Sequence, residues 1–133
     1  MKDMMMFYLW KNKLGFHLPD SYEEFLSCVK EEDGLDYYDD FGNGGYFYGY
    51  KNLLERNATY DVQKNAPDYF LIGQDGDLGF FIHKKGYDDA IYALDLGALG
   101  SAKMHHIADN MADLLTKILS NEDENWDLFD DED

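Results

Sequence analysis

The stretch that decides the fold is residues 69–83, which have the sequence YFLIGQDGDLGFFIH. Two apolar runs, at residues 69–73 and 79–83, flank a turn in which Asp75 is followed by Gly76. Aromatic and β-branched residues favour strands, and an Asp-Gly pair between two such runs favours a tight hairpin connection. The stretch therefore predicts an antiparallel β-hairpin.

Further strand signals lie on both sides of this hairpin. Residues 46–50 (YFYGY) follow a glycine-rich turn signal at residues 42–45, and residues 90–95 (AIYALD) follow another turn-rich segment. Runs of this kind, separated by turn residues, are typical of sequential strands with short connections. We predict one antiparallel sheet that contains residues 46–50, 90–95 and the two hairpin strands.

Helices are predicted before these strands. The apolar run at residues 4–10 favours a core helix leading into Leu14, since a membrane span needs ~20 apolar residues. A second helix is predicted to begin near Pro19, where Asp20 and Glu23 have the spacing of a capping box. The apolar positions of this second helix are Tyr22, Phe25, Leu26 and Val29.

The strongest helix signal covers residues 103–119, where the apolar residues recur on one helical face. Residues 51–65 are ambiguous and favour a short helix around Leu53 and Leu54, followed by coil. The predicted fold class is α+β, a single antiparallel β-sheet packed against helices. Residues 1–120 are predicted to form one domain, and residues 121–133 an acidic C-terminal tail.

The charge of the chain is strongly negative and unevenly distributed. The 133 residues carry 28 Asp and Glu against 11 Lys and Arg, a formal net charge of −17 at pH 7. Residues 31–40 hold six of the acidic residues, residues 121–133 hold eight, and neither segment contains a base. Nucleic acids and anionic membranes bind basic surfaces, so neither is expected as a partner. The charge indicates either a basic protein partner or two solvated acidic segments.

No catalytic or metal-binding motif is recognisable. Asp75 and Asp77 lack the further ligands of a calcium loop and are interpreted as turn residues. His105 and His106 would point roughly 100° apart on a helix and would not share a metal. Cys28 is the one cysteine and is expected to be a packed thiol in a reducing, cytoplasmic location. We predict no enzymatic activity, no metal and no cofactor.

Five segments carry a family resemblance. Residues 18–26 read LPDSYEEFL, residues 43–45 NGG, residues 70–79 FLIGQDGDLG, residues 91–95 IYALD and residues 107–115 IADNMADLL. In this order they resemble the LPxxYxxFL opening, the turn, the central hairpin, the following strand and the last helix of the SUKH (Smi/Knr-type) domain.

The resemblance covers about residues 8–119 and leaves the acidic segments outside the pattern. It implies a non-enzymatic α+β domain without catalytic residues. Many bacterial SUKH proteins are immunity proteins that bind and neutralise a cognate toxin, and eukaryotic relatives act as signalling and cell-wall regulators. The resemblance thus implies a toxin-neutralising protein, with a regulatory protein-interaction module as the alternative.

Charge and resemblance together give one functional hypothesis. An acidic surface is complementary to the basic substrate-binding face of a toxin such as a nuclease, and Trp126 and Phe129 would be aromatic anchors within the tail. The residues predicted to contact the toxin are Glu31, Glu32, Asp36, Asp39, Asp40, Asp123, Trp126, Asp127, Phe129 and Asp130.

Overall fold

The predicted hairpin forms the middle of an antiparallel sheet, which has six strands in the part of the chain that the structure describes. A computed structural model describes residues 2–29, 34–38, 44–84 and 88–120. The strands are β1 (Leu35–Tyr38), β2 (Gly44–Phe47), β3 (Tyr69–Asp75), β4 (Leu78–His83), β5 (Ile91–Asp95) and β6 (His105–Ala108). Each strand pairs with its sequence neighbour, in the order β1-β2-β3-β4-β5-β6, so the sheet is a meander.

Helices accompany the sheet, which confirms the predicted α+β class. Two helices precede the strands, two lie between β2 and β3, and one follows β6. They are α1 (Lys2–Asn12), α2 (Asp20–Ser27), α3 (Tyr50–Thr59), α4 (Val62–Asn65) and α5 (Met111–Ser120). A short 3₁₀ turn, Leu96–Ala98, follows β5.

The β3–β4 hairpin closes as its sequence predicts. Asp75 pairs with Leu78 across a two-residue connection, and Gly76 has a φ of +62°, a conformation that glycine adopts without a steric penalty. Phe70 pairs with Ile82 on the adjoining strands, and both side chains are buried. The turn interpretation of the Asp-Gly pair is therefore confirmed.

Aromatic rings join one face of the sheet to α2. The ring of Phe25 on α2 lies 5.3 Å from that of Phe47 on β2, which lies 5.6 Å from that of Phe80 on β4. Phe47 and Phe80 are fully buried, and burying each such side chain contributes roughly 2 kcal/mol. This aromatic row holds α2 against the sheet.

Ser21 fixes α2 to the C-terminal helix. Its hydroxyl oxygen accepts a hydrogen bond of 3.2 Å from the backbone N–H of Met111, the first residue of α5. Its own N–H donates to Asp89 Oδ1 at 3.1 Å. The two helices are thereby tied to each other and to the chain entering β5.

The N-terminal helix is confirmed, but only one side of it is core. The rings of Phe7 and Trp10 lie 5.6 and 5.3 Å from that of Tyr50, the first residue of α3. Tyr8 and Leu9 are 58% and 51% exposed. The apolar run therefore supplies both a core contact and an exposed apolar side.

Along part of β3, side chains form the backbone hydrogen bonds that a neighbouring strand would otherwise form. Beyond the end of β2, the Leu71 N–H donates to Asn57 Oδ1 at 2.8 Å, and the Leu71 carbonyl accepts from Asn57 Nδ2 at 3.0 Å. Gln63 Nε2 donates to the carbonyl of Tyr69 at 2.8 Å and to Asn57 Oδ1 at 3.0 Å. Helices α3 and α4 thus satisfy the edge of β3 that β2 does not reach.

The predicted helix over residues 103–119 is wrong in its first part, because residues 105–108 form β6. Their apolar residues suit a core-facing strand as well as a helix, and β6 pairs the backbone of β5, which would otherwise be an open edge. The helix starts only after Asn110, whose Oδ1 accepts a hydrogen bond of 2.7 Å from the Asp113 N–H. This N-terminal cap marks the true beginning of α5.

Other local predictions also need correction. The strand predicted at residues 46–50 ends at Phe47, and Gly49 adopts an extended conformation ahead of α3. Residues 51–65 contain α3 and α4 in place of one short helix and coil. The capping box of α2 is absent: its N-cap is Pro19, without a side-chain hydrogen bond. Cys28 is an exposed free thiol at the end of α2, not a packed one.

Candidate partner-binding surface

Residues 34–38 are the part of the acidic segment 31–40 that the structure describes. Of the predicted contact residues only Asp36 lies there, on β1, with an exposed side chain. The other predicted contact residues lie outside the described residues: Glu31, Glu32, Asp39, Asp40, Asp123, Trp126, Asp127, Phe129 and Asp130.

Asp36 begins a row of side chains that crosses three strands. It pairs with Tyr46 on β2, which pairs with Gln74 on β3, and side chains of directly paired residues share one face of the sheet. Tyr46 Oη donates to Gln74 Oε1 at 3.4 Å, and Tyr48 Oη donates to the same oxygen. Gln74 Nε2 donates to the carbonyl of Gly76 at 2.9 Å. The amide of Gln74 therefore orients both tyrosines and is itself held by the hairpin turn.

Tyr48, whose hydroxyl donates to Gln74 beside that of Tyr46, is buried. Tyr48 is 2% exposed, and desolvation raises its pKa well above the ordinary value, with smaller contributions from Tyr46 and Tyr60. A tyrosine hydroxyl is protonated at neutral pH in any case, so the raised pKa affects Tyr48 only in alkali. The row places the exposed carboxylate of Asp36 beside half-buried Tyr46, and tyrosine is one of the residue types enriched in protein interfaces.

A compact ion pair lies close to the row on α3. The Arg56 guanidinium donates to both carboxylate oxygens of Glu55, at 2.8 and 2.7 Å, and Thr59 Oγ1 donates to Glu55 at 2.7 Å. These hydrogen bonds, that from Arg56 above all, lower the pKa of Glu55 to about 2. Arg56 also lies over the ring of Tyr60, 5.7 Å from its centroid. The positive charge of Arg56 is thus matched within its own helix and does not offset Asp36.

One end of the sheet carries exposed carboxylates, and we call Asp75, Asp77 and Asp95 the acidic end. Asp75 and Asp95 both pair with Leu78, from opposite sides of β4, and Asp77 lies in the connection before it. All three are exposed.

Strand β1, which lies within the acidic segment 31–40, ends beside the acidic end. Tyr38 pairs with Gly44, and a Cβ built on the adjacent Gly45 would lie 2.9 Å from Asp75 Cα. The chain therefore leaves the described residues after Tyr38 and re-enters them at Gly44 beside the acidic end. Five residues join them, among which are Asp39 and Asp40.

Sequence reasoning missed most of this surface. Tyr46, Tyr48 and Gln74 were assigned only to strands or turns, and Asp75 and Asp77 only to a turn. The alternation of Tyr46 and Tyr48 places both on one face of a strand, which is a signal that could have grouped them. Their meeting with Gln74 depends on the register of β2 against β3, which the sequence does not specify by itself.

Other kinds of site find little support in the described ranges. Within residues 2–29, 34–38, 44–84 and 88–120, no group of three or more His, Cys, Asp and Glu side chains is placed to hold a metal ion. None of the helices in those ranges combines the length and apolar character of a membrane span.

The comparisons with known proteins agree with this fold. The family model described as SMI1 / KNR4 family (SUKH-1) matches residues 10–117, which is most of the chain. The match covers all six strands and the greater part of every helix except α1. A search of curated proteins found no match.

Proposed function

Because the chain belongs to the SMI1/KNR4 (SUKH-1) family, we propose that it is an immunity protein that binds and neutralises a cognate toxin. Domains of this family bind partner proteins, and the family includes immunity proteins. The fold is a protein-interaction fold and not typically an enzymatic one. In this proposal the protein acts by occupying a surface of the toxin, without chemistry of its own, in the cytoplasm.

The observation that carries the proposal is the placing of the carboxylates. The acidic end lies beside Tyr38 and Gly44, where the chain leaves and re-enters the described residues, and Asp36 lies on β1 two residues before Tyr38. A dense negative surface attracts a basic face over a distance and speeds association with it. The toxin we expect is therefore basic, as the substrate-binding face of a nuclease is, and blocking that face prevents substrate from binding.

The contact surface we propose has three parts. The first is the described surface at one end of the sheet, which has Asp36 and Tyr46 on one face, Asp75 and Asp95 on the other face, and Asp77 in the turn between β3 and β4. The second and third are the acidic residues that flank β1 in sequence and those of the tail, with Trp126 and Phe129 as anchors. The acidic residues in these last two parts are Glu31, Glu32, Asp39, Asp40, Asp123, Asp127 and Asp130.

The test begins with a search for a toxin gene beside the gene for this protein and then measures protection against that toxin. The toxin domain is expressed in cells with and without the protein, and growth is measured; the purified pair is then examined by titration calorimetry. We expect full protection and a Kd in the nanomolar range or below. Absence of both protection and binding overturns the proposal, and capture of a cellular protein in its place supports the regulatory alternative.

A further inference from the structure

The register of the sheet determines which backbone groups of β1 are used. The N–H of Tyr48 donates to the carbonyl of Ile72 on the β3 side, at 3.0 Å. In an antiparallel ladder, alternate residues direct their N–H and C=O groups to opposite sides of the strand. The backbone N–H and C=O groups of residues 46 and 48 therefore point toward β3, and those of residues 45 and 47 point toward β1.

The same register shows which backbone groups of β1 point away from the sheet. Leu35 pairs with Phe47 and Tyr37 pairs with Gly45, so these two residues of β1 use their backbone groups on β2. The backbone N–H and C=O groups of Asp36 and Tyr38 point to the other side. In the described part of the chain, no strand pairs with that side of β1.

The opposite edge of the sheet has protective features that the described residues of β1 lack. In β6 the register shifts at Ile107, which is the extra residue of a bulge opposite β5. Lys117 Nζ donates to the carbonyl of Ile107 at 2.8 Å. A bulge and a lysine are two of the devices by which proteins prevent the addition of a further strand. The four pairs between β1 and β2, in contrast, follow an unbroken register.

The negative charge of the protein determines which kind of strand can bind at the edge of β1. A second copy of the chain would bring one net charge of −17 against another, with Asp36 in both strands of the contact. An extended segment with lysine or arginine side chains is attracted instead. We propose that β1 binds an extended basic strand of the partner, which pairs with the backbone of Asp36 and Tyr38 and adds a seventh strand to the sheet. This inference rests on the proposed function, since it specifies how the partner is held.

The first test uses a defined peptide and the unmodified protein. The probe is an acetylated octapeptide of alternating lysine and valine, and its control carries an N-methyl group on every residue, which keeps the charge and removes the N–H donors from both edges of the peptide. We expect the probe to bind at least about tenfold more tightly than the control. Amide hydrogen exchange should slow at Asp36 and Tyr38 on binding. Equal binding of the two peptides, binding of neither, or unchanged exchange at both residues overturns strand addition.

The second test separates the backbone of Asp36 from its charge. Asp36→Pro removes the outward N–H and the carboxylate, whereas Asp36→Asn removes only the carboxylate. Proline is tolerated on an edge strand where its missing N–H would face solvent, so both variants should remain folded. Tyr37→Pro removes an N–H used on β2 and should lower the melting temperature, which checks the register itself.

We expect Asp36→Pro to bind the probe about tenfold more weakly than Asp36→Asn. Equal affinities of the two folded variants would contradict strand addition. They would leave the proposed function standing, because toxin neutralisation through the acidic surface alone does not need the edge of β1. Conversely, if the unmodified protein binds the peptide as expected but gives no protection against the toxin, only the proposed function is overturned.

Discussion

The side-chain amide of Asn57 forms two hydrogen bonds with the backbone of Leu71, one in each direction, as a neighbouring strand would. The same amide donates to the carbonyl of Leu53 at 2.8 Å and accepts from Gln63 at 3.0 Å. All the hydrogen-bonding capacity of the amide is therefore used, and the residue is 2% exposed. Asn57 is the point at which α3, α4 and β3 are joined.

Replacing Asn57 with Ala should lower the free energy of unfolding by about 3 kcal/mol, since it leaves the buried N–H and C=O of Leu71 unsatisfied. Chemical denaturation measures the change. The matched control is Asn65→Ala, which removes an exposed hydrogen bond to the carbonyl of Asp61 and should cost below about 1 kcal/mol. Equal losses in the two variants would contradict the role assigned to Asn57.

Replacing Tyr22 with Phe should raise the free energy of unfolding by about 1 kcal/mol. Tyr22 is fully buried, and its hydroxyl has no hydrogen-bond partner among the described residues. Tyr48→Phe is the opposite case, because the hydroxyl of Tyr48 donates to Gln74, and it should lower stability by about 1 kcal/mol. Thermal and denaturant unfolding of the two variants provide the comparison, and a destabilised Tyr22→Phe protein would show the expectation to be wrong.

Tyr22 should also steepen the loss of stability in alkali. Burial raises its pKa above the ordinary value of 10.0, so the folded state keeps the proton that the unfolded state releases. The stability that the folded protein gains by keeping this proton is therefore complete below pH 10 and is lost as the pH rises above 10. Above pH 10, the free energy of unfolding of the Tyr22→Phe variant should therefore fall less steeply with pH than that of the unmodified protein, by up to ~1.4 kcal/mol per pH unit. Unfolding at several pH values between 9 and 11.5 measures the slope, with the exposed Tyr8→Phe as control.

Neutralising the acidic end should slow toxin binding without harming the fold. The triple variant Asp75→Asn, Asp77→Asn, Asp95→Asn should reduce the association rate about three- to tenfold at low salt and weaken its dependence on salt. Asparagine still accepts the hydrogen bond that Asp95 receives from Gly97. Stopped-flow mixing with the toxin provides the rates.

The matched control removes the same charge from the opposite end of the sheet. Asp20→Asn, Asp88→Asn and Asp89→Asn together change three exposed or half-buried carboxylates near the start of β5. The control should retain most of the association rate. If both triple variants lose it equally, net charge and not the acidic end steers the encounter.

Truncation after Asn121 should leave the domain folded and weaken toxin neutralisation. Trp126→Ala with Phe129→Ala should weaken binding about thirtyfold, as expected for interface aromatic anchors. Melting curves and toxin titrations of both variants are the measurements. Unchanged neutralisation would mean that the tail is only a charged end, and a sharp fall in melting temperature would place the aromatics in the core.

Where local signals decide, the sequence predicted the fold well. The β3–β4 hairpin follows from two apolar runs around an Asp-Gly turn, and α2 from the apolar spacing after Pro19. The strand at residues 105–108 was missed because the spacing of Ile107 and Met111 fits a helix, while the need of β5 for a partner is a tertiary effect. β1 was missed because Leu35, Tyr37 and Tyr38 stand within an acidic run.

The candidate surface was predictable only in its charge. The sequence placed Asp36 in an acidic segment, but not opposite Tyr46, because register depends on where β2 begins. Asn57 opens an Asn-Ala-Thr sequence that resembles a glycosylation site, and nothing local indicates that β2 ends before reaching Leu71. The hydrogen bonds between Asn57 and the backbone of Leu71 depend on where β2 ends in the folded sheet, so they could not be predicted from the local sequence.

The meander order of the strands has a consequence for how the chain folds. Every strand pairs with a strand adjacent to it in sequence, and all the connections except the one that holds α3 and α4 are shorter than 10 residues. Short loops close at a low entropic cost, and proteins rich in such local pairings fold faster than sheets with crossing connections. The hydrogen bond between Ser21 and Met111 joins residues 90 positions apart, so closing this loop costs more entropy than closing any connection between the strands. Docking of α2 against α5 is thus expected to be a late step, after the hairpins have formed.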